Sequence, residues 1–233
     1  MVAGSVIVVP LSSTFNSSPF SGPRAAHAEL IPVSLRDQYL SAADAPFDVV
    51  LGGRMDRIWH RPRWLWPVFW LLARGDILFP ETGEGVPTTL VVRPGRDLHG
   101  APIQTWERTF RFRRHRLRRF RSVMSFDEST GFVAEREGPR NVVEELAEVQ
   151  FIPPTTIEFV SRRSAFVLGE RRLRLPRRLW VTALVRQVAD PVAGTSHVTL
   201  VVTHGTLGPV FGYEGTFRSV RRPRRDRPNS VRW

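Results

Sequence analysis

TWERTFRFRRHRLRRFRSVMSF, residues 105–126, decides how this chain folds. In an extended strand, side chains alternate between the two faces of a sheet. Trp106, Arg108, Phe110 and Phe112 therefore share one face, and Thr105, Glu107, Thr109 and Arg111 share the other. After a tight Arg113–Arg116 turn, Phe120, Ser122 and Met124 repeat the apolar face with one polar insertion. The stretch reads as a hairpin whose buried face carries Arg108 and Ser122 among aromatic rings. Eight arginines between Arg108 and Arg121 suggest a nucleic-acid site at first sight. Such a site needs basic groups and stacking aromatics together on an exposed face. Here Phe110, Phe112 and Phe120 point to the core, so nucleic-acid binding is not expected.

Outward from this hairpin, the chain alternates short apolar runs with Gly, Pro, Asp and Asn. Strands are predicted at 47–60, 86–93, 103–113, 116–126, 131–137, 142–151, 155–168, 179–188, 196–203 and 209–218. Regular spacing with few helices indicates an antiparallel β-barrel or half-open barrel, calycin- or lipocalin-like in shape. Gly52-Gly53 predicts a bulge or corner inside the first strand. RWLWPVFWLLAR (63–74) is the one strong helix, apolar nearly all round and expected to cover a barrel end. A short helix or turn is expected near LRDQYLSAAD (35–44). Residues 1–28 read as a flexible arm, 29–218 as a single barrel domain and 219–233 as a basic flexible tail.

Composition narrows the chemistry. All 34 basic residues are arginine, and the formal net charge is +12. The last 15 residues hold six arginines against Asp226 alone, so much of this charge is terminal. With no cysteine, disulfide and thiolate chemistry are excluded. HExxH, CxxC, GxGxxG and GxSxG do not occur, so neither a metal nor a nucleotide cofactor is expected. The apolar run SVIVVPL (5–11) is short and lacks a basic flank, so no export signal is expected and the predicted location is cytoplasmic.

Polar residues on apolar strand faces are the candidate site. They are Arg108, Ser122, Glu145 (among Val143, Ala147, Val149 and Phe151) and Tyr213 (between Phe211 and Phe217). A charge on such a face must be paired, because desolvating it alone costs several kcal/mol. Arg108 with Glu145 is the simplest pairing, with Tyr213 donating to the carboxylate. Glu135 is a second partner, ranked lower because Phe132 and Ala134 suggest that it faces outward. Trp106 and Phe110 would line a cavity, and His60 would stand at its rim. Trp64, Trp66 and Trp70 admit three roles: packing across the barrel mouth, a lid over an apolar ligand, or an interfacial membrane contact.

Several short motifs follow one another along the chain: Trp106-x-Arg108-x-Phe110, Phe120-x-Ser122, Glu135-x-x-Gly138-Pro139, Leu175-Pro176 and Gly212-Tyr213-x-Gly215. On these residues the chain resembles the DUF4166 family over residues 47–218. This is a bacterial domain of unknown function, also found fused to saccharopine-dehydrogenase-like proteins. The resemblance implies architecture and brings no activity with it. Three functions fit the residues. One is binding of a hydrophobic small molecule or lipid, anchored by Arg108, Glu145 and Tyr213. Another is a metal- and nucleotide-independent cyclase or isomerase, pericyclase-like, acting on a polyketide-type substrate in bacterial secondary metabolism. In that case Arg108 or Tyr213 would polarise a carbonyl. The third is a structural or membrane-peripheral module.

Overall fold

The computed structural model of the protein describes residues 18–20, 31–138, 141–168, 171–174 and 180–224. Its elements in chain order are α1 (Val33–Leu40), β1 (Phe47–His60), α2 (Trp66–Leu72), β2 (Gly83–Arg96), β3 (Pro102–Arg111), β4 (Leu117–Asp127), β5 (Phe132–Glu137), β6 (Val143–Ile152), β7 (Thr156–Leu168), β8 (Arg171–Arg174), β9 (Val181–Asp190), β10 (Thr195–His204) and β11 (Gly208–Pro223). Single 3₁₀ turns, Arg63–Leu65 and Ala73–Gly75, flank α2.

Ten strands close into an antiparallel barrel in the order β6-β5-β4-β3-β2-β1-β11-β10-β9-β7, with β7 returning to β6. Closure leaves no open sheet edge around the ring. The short β8, which the sequence did not suggest, adds to β7 outside the ring. Val92, Phe110, Ile157 and Phe211 are fully enclosed, as the alternation of their strands requires. The outer wall is polar and laced with ion pairs such as Arg93–Glu107 (2.9 Å) and Arg136–Glu144 (2.9 Å).

Three local features differ from the sequence reading. The register shift in β1 falls between Met55 and Arg57, not at Gly52-Gly53. Gly53 is required for a different reason: a Cβ there would lie 2.0 Å from the Thr216 carbonyl oxygen. Gly215 likewise would bring a Cβ within 2.3 Å of the Arg54 carbonyl. These two glycines let β1 and β11 approach closely beside the bulge. β11 continues to Pro223, so residues 219–223, assigned to the tail, extend the last strand instead. The rest of that tail lies outside the described residues.

Each end of the barrel is stoppered. At one end, α1 inserts Leu35, Gln38 and Tyr39 together with Ser18 and Phe20, all buried. Phe20 meets Tyr39 and Phe159 edge-on, at 5.4 Å and 5.9 Å between ring centroids. At these residues the N-terminal arm belongs to the core; the remainder of it is outside the described residues. At the other end, α2 lies across the mouth and directs Phe69 onto His60 and Phe211. Phe79, on the segment leaving α2, packs on Phe110, Phe112 and Phe211.

Candidate functional site

Among the described residues, two polar clusters inside the barrel stand out, and they differ in how completely they are satisfied. Beneath α1, the Gln38 and Gln187 amides each donate to the other's carbonyl at 3.0 Å. Tyr39 donates its hydroxyl to Gln187 Oε1, and Gln187 Nε2 donates to Ser196 at 2.9 Å. Trp106 Nε1 donates to Gln104 Oε1 at 3.2 Å. Buried polar groups normally close their bonds in this way, and the result specifies one packing of a core. This network therefore fixes the α1 plug. No local pattern announces it, because Gln38 of α1 and Gln187 of β9 meet only once the barrel has closed.

The second group centres on Arg108. On β3 this arginine stands between Trp106, which joins the Phe20–Tyr39 rings, and Phe110, which joins the Phe79–Tyr213 rings. Its guanidinium carbon lies 4.6 Å from the Phe120 ring centroid and 5.5 Å from that of Trp106. Such contacts suit a weakly hydrated, planar cation in apolar surroundings. Arg108 Nη1 donates to Ser122 Oγ at 3.3 Å, and Nη2 lies 3.9 Å from Glu135 Oε1. The guanidinium also approaches the Tyr213 hydroxyl.

The expected Arg108–Glu145 pairing is thus replaced by Arg108–Glu135. The inner face of β5 is Val133, Glu135 and Glu137, while Arg136 pairs with Glu144 on the outside. Ala134 misled the parity argument because it is only 2% exposed although it lies on the outer face. Glu145 projects inward as expected, but it stands directly opposite Glu135 in the β5–β6 ladder. Ser164 donates to Glu145 Oε1 at 3.4 Å. Glu137, absent from the sequence-derived site, completes the cluster. It lies opposite Ser122 in the β4–β5 register and interacts with Glu145, Glu135 and Arg108. Its signal was available in the two-residue spacing Val133-x-Glu135-x-Glu137.

Three clustered glutamates, two of them facing one arginine, cannot all be charged cheaply in a low-dielectric interior. Burial, and then the neighbouring Glu135, raise the Glu145 pKa from 4.5 to about 8. The Ser164 and Ser161 hydroxyls pull in the opposite direction. Burial, reinforced by Glu145 and Glu135, also holds Glu137 well above the usual carboxylate range. Burial raises the Tyr213 phenol as well, with Arg108 opposing the rise. Near neutrality the cluster therefore holds protonated carboxyls beside a permanent cation. Glu135 Oε1 is buried and accepts no hydrogen bond.

The other expected site residues separate clearly. Trp106, Phe110 and Ser122 line the interior beside Arg108. His60 sits at the α2 mouth with Nε2 at 2.9 Å from the Pro80 carbonyl oxygen, apart from the cluster. Trp64, Trp66 and Trp70 face away from the barrel, at 65%, 49% and 41% exposure. The inward side of α2 is Phe69 with Leu65, Leu72 and Ala73, so these three tryptophans do not line the interior.

Fold and site together define a closed antiparallel barrel with an ionisable cluster enclosed in an aromatic core. The chain belongs to the DUF4166 family, a domain of unknown function, whose model matches residues 31–217. The match begins ahead of the first strand and so includes α1 as well as the barrel. No curated protein matches the chain.

Proposed function

We propose that the barrel binds a hydrophobic small molecule or lipid and anchors the polar end of that ligand at Arg108. The observation that carries this reading is the open valence of the cluster. Arg108 and Glu135 stand 3.9 Å apart, and Glu135 Oε1 is buried without a hydrogen bond. A pair selected only to fix sheet register would be expected to close to about 2.8 Å, as charge-assisted bonds do. A ligand oxygen accepting from Arg108, or a ligand hydroxyl donating to Glu135, would satisfy these groups. Phe110, Trp106 and Met124 would surround the apolar remainder.

A second reading rests on the raised carboxyl pKa values. An acid that keeps its proton to about pH 8 can donate it to a carbonyl or enolate oxygen in a dry site. With Arg108 or Tyr213 polarising the same oxygen, the cluster would serve a cofactor-independent cyclase or isomerase acting on a polyketide-type chain.

Native mass spectrometry of freshly purified protein, followed by organic extraction, tests the first reading. A co-purifying apolar molecule that is lost in Arg108→Ala and Tyr213→Phe, with both variants folded, is the expected result. Arg108→Ala that fails to fold, together with a folded Tyr213→Phe that retains no less ligand than wild type, would assign the cluster a purely structural role. Polyketide synthase genes beside the coding sequence would favour the second reading.

A further inference from the structure

The outer face of α2 has no function in the interior site. Trp64, Trp66, Val68, Trp70 and Leu71 are between 41% and 65% exposed, although the helix already buries Phe69 against the barrel. The helix is therefore apolar on two opposite sides, one for the barrel mouth and one for something beyond it. The outer aromatic face is ordered. Trp66 and Trp70 stack with centroids 6.5 Å apart, and the Arg74 guanidinium caps Trp70 at 3.6 Å. Exposed Leu117 and Leu207, at the turns of this same barrel end, widen the apolar rim.

Charge follows the same geometry. Arg61, Arg63 and Arg74 bracket α2 and are exposed. The β3–β4 turn, held to this end through Phe112 on Phe79, adds exposed Arg113 and Arg114. Of the two acids on the segment after α2, Glu81 is taken up by Arg116 and Arg118, and Asp76 is half-buried. Acidic residues occupy turns at the opposite end: Asp44, Asp97, Asp127, Glu128 and Asp190.

We propose that the α2 end of the barrel docks on an anionic lipid bilayer surface. Trp64, Trp66, Trp70 and Leu71 would enter the headgroup region, and Arg61, Arg63, Arg74, Arg113 and Arg114 would contact lipid phosphates. Tryptophan prefers the interfacial layer, where its ring is half-solvated, and arginine can reach phosphate from the same depth. A protein partner of ordinary composition would complement the apolar face but would leave the arginine rim unexplained. The charged outer wall is unlike the apolar band of a spanning barrel, and no helix among the described residues is long and apolar enough to cross a membrane. Contact is therefore assigned to the end of the barrel.

Co-sedimentation of the full chain with vesicles tests this, using phosphatidylcholine alone and phosphatidylcholine mixed with phosphatidylserine. The mixed vesicles should bind, and binding should weaken with salt. Trp66→Ser/Trp70→Ser should reduce binding at least about tenfold, from the apolar surface it no longer buries. Arg61→Glu/Arg63→Glu should reduce it by a similar factor, given the attraction of each basic residue to anionic lipid. Both variants should keep a single cooperative urea transition, because none of the substituted side chains is buried in the barrel core. Equal binding of the tryptophan variant and wild type would overturn the proposal, because basic segments elsewhere would then suffice. Absence of vesicle binding would also overturn it. So would self-association that the tryptophan variant abolishes, which would identify a second copy of the chain as the occupant.

Discussion

Replacing Glu145 with glutamine removes an ionisable group from the cluster while keeping its shape. In the unfolded chain the carboxyl ionises at its ordinary 4.5; in the folded barrel it holds its proton to about 8. Between these values the folded state binds more protons than the unfolded state, so stability falls as pH rises. The contribution of the protonated carboxyl is complete below the unfolded pKa, declines through the window and levels off above 8. The gap corresponds to a ceiling of about 5 kcal/mol at 1.36 kcal/mol per pH unit, of which about 3 kcal/mol has been lost by pH 7. Glutamine mimics the protonated acid at every pH. Glu145→Gln should therefore match wild type within about 1 kcal/mol near pH 5, the worth of one altered hydrogen bond. It should then be the more stable protein by several kcal/mol near pH 9. Glu145 is also one of the groups that raise Glu137, so Glu137 should ionise at lower pH in the variant. Urea unfolding of both proteins at a series of pH values, followed by tryptophan fluorescence, measures the difference. Parallel stability curves from pH 5 to pH 9 would mean that Glu145 ionises normally in the folded state and that the buried cluster does not hold its proton.

Arg108→Met keeps the bulk of the stem but removes the cation that faces Glu135 and Glu137; a loss of about 3–5 kcal/mol near pH 8 is expected, shrinking toward pH 5 as Glu137, held well above the usual carboxylate range, takes up its proton. Denaturant titrations at the two pH values would reveal this convergence. Gly53→Ala places a methyl 2.0 Å from the Thr216 carbonyl, and thermal unfolding should show a loss of at least about 2 kcal/mol as β1 and β11 are forced apart. Phe20→Ala opens the α1 plug and should cost about 3–5 kcal/mol by calorimetry, whereas a loose arm would give no change.

The strand faces were legible in the chain alone. Alternation in residues 103–126 placed Trp106, Arg108, Phe110 and Ser122 inside before any pairing was known, because side-chain direction in a strand is set by period two alone. It also determined nearly all strand positions, the α2 helix and the barrel class, since turn residues and apolar runs are local signals. Which charges meet depends on how the closed barrel pairs its strands. Glu135 opposite Glu145, and Glu137 opposite Ser122, are consequences of ladder register, which no single strand specifies. Parity also fails where an outward residue such as Ala134 is covered, because burial and facing inward are then different properties. The plug of Phe20, Gln38 and Gln187 joins residues more than a hundred positions apart, and the outward orientation of Trp64, Trp66 and Trp70 depends on which side of an all-apolar helix meets the barrel. Local sequence carries neither fact. Both are fixed when the ring closes and leaves two ends to be covered.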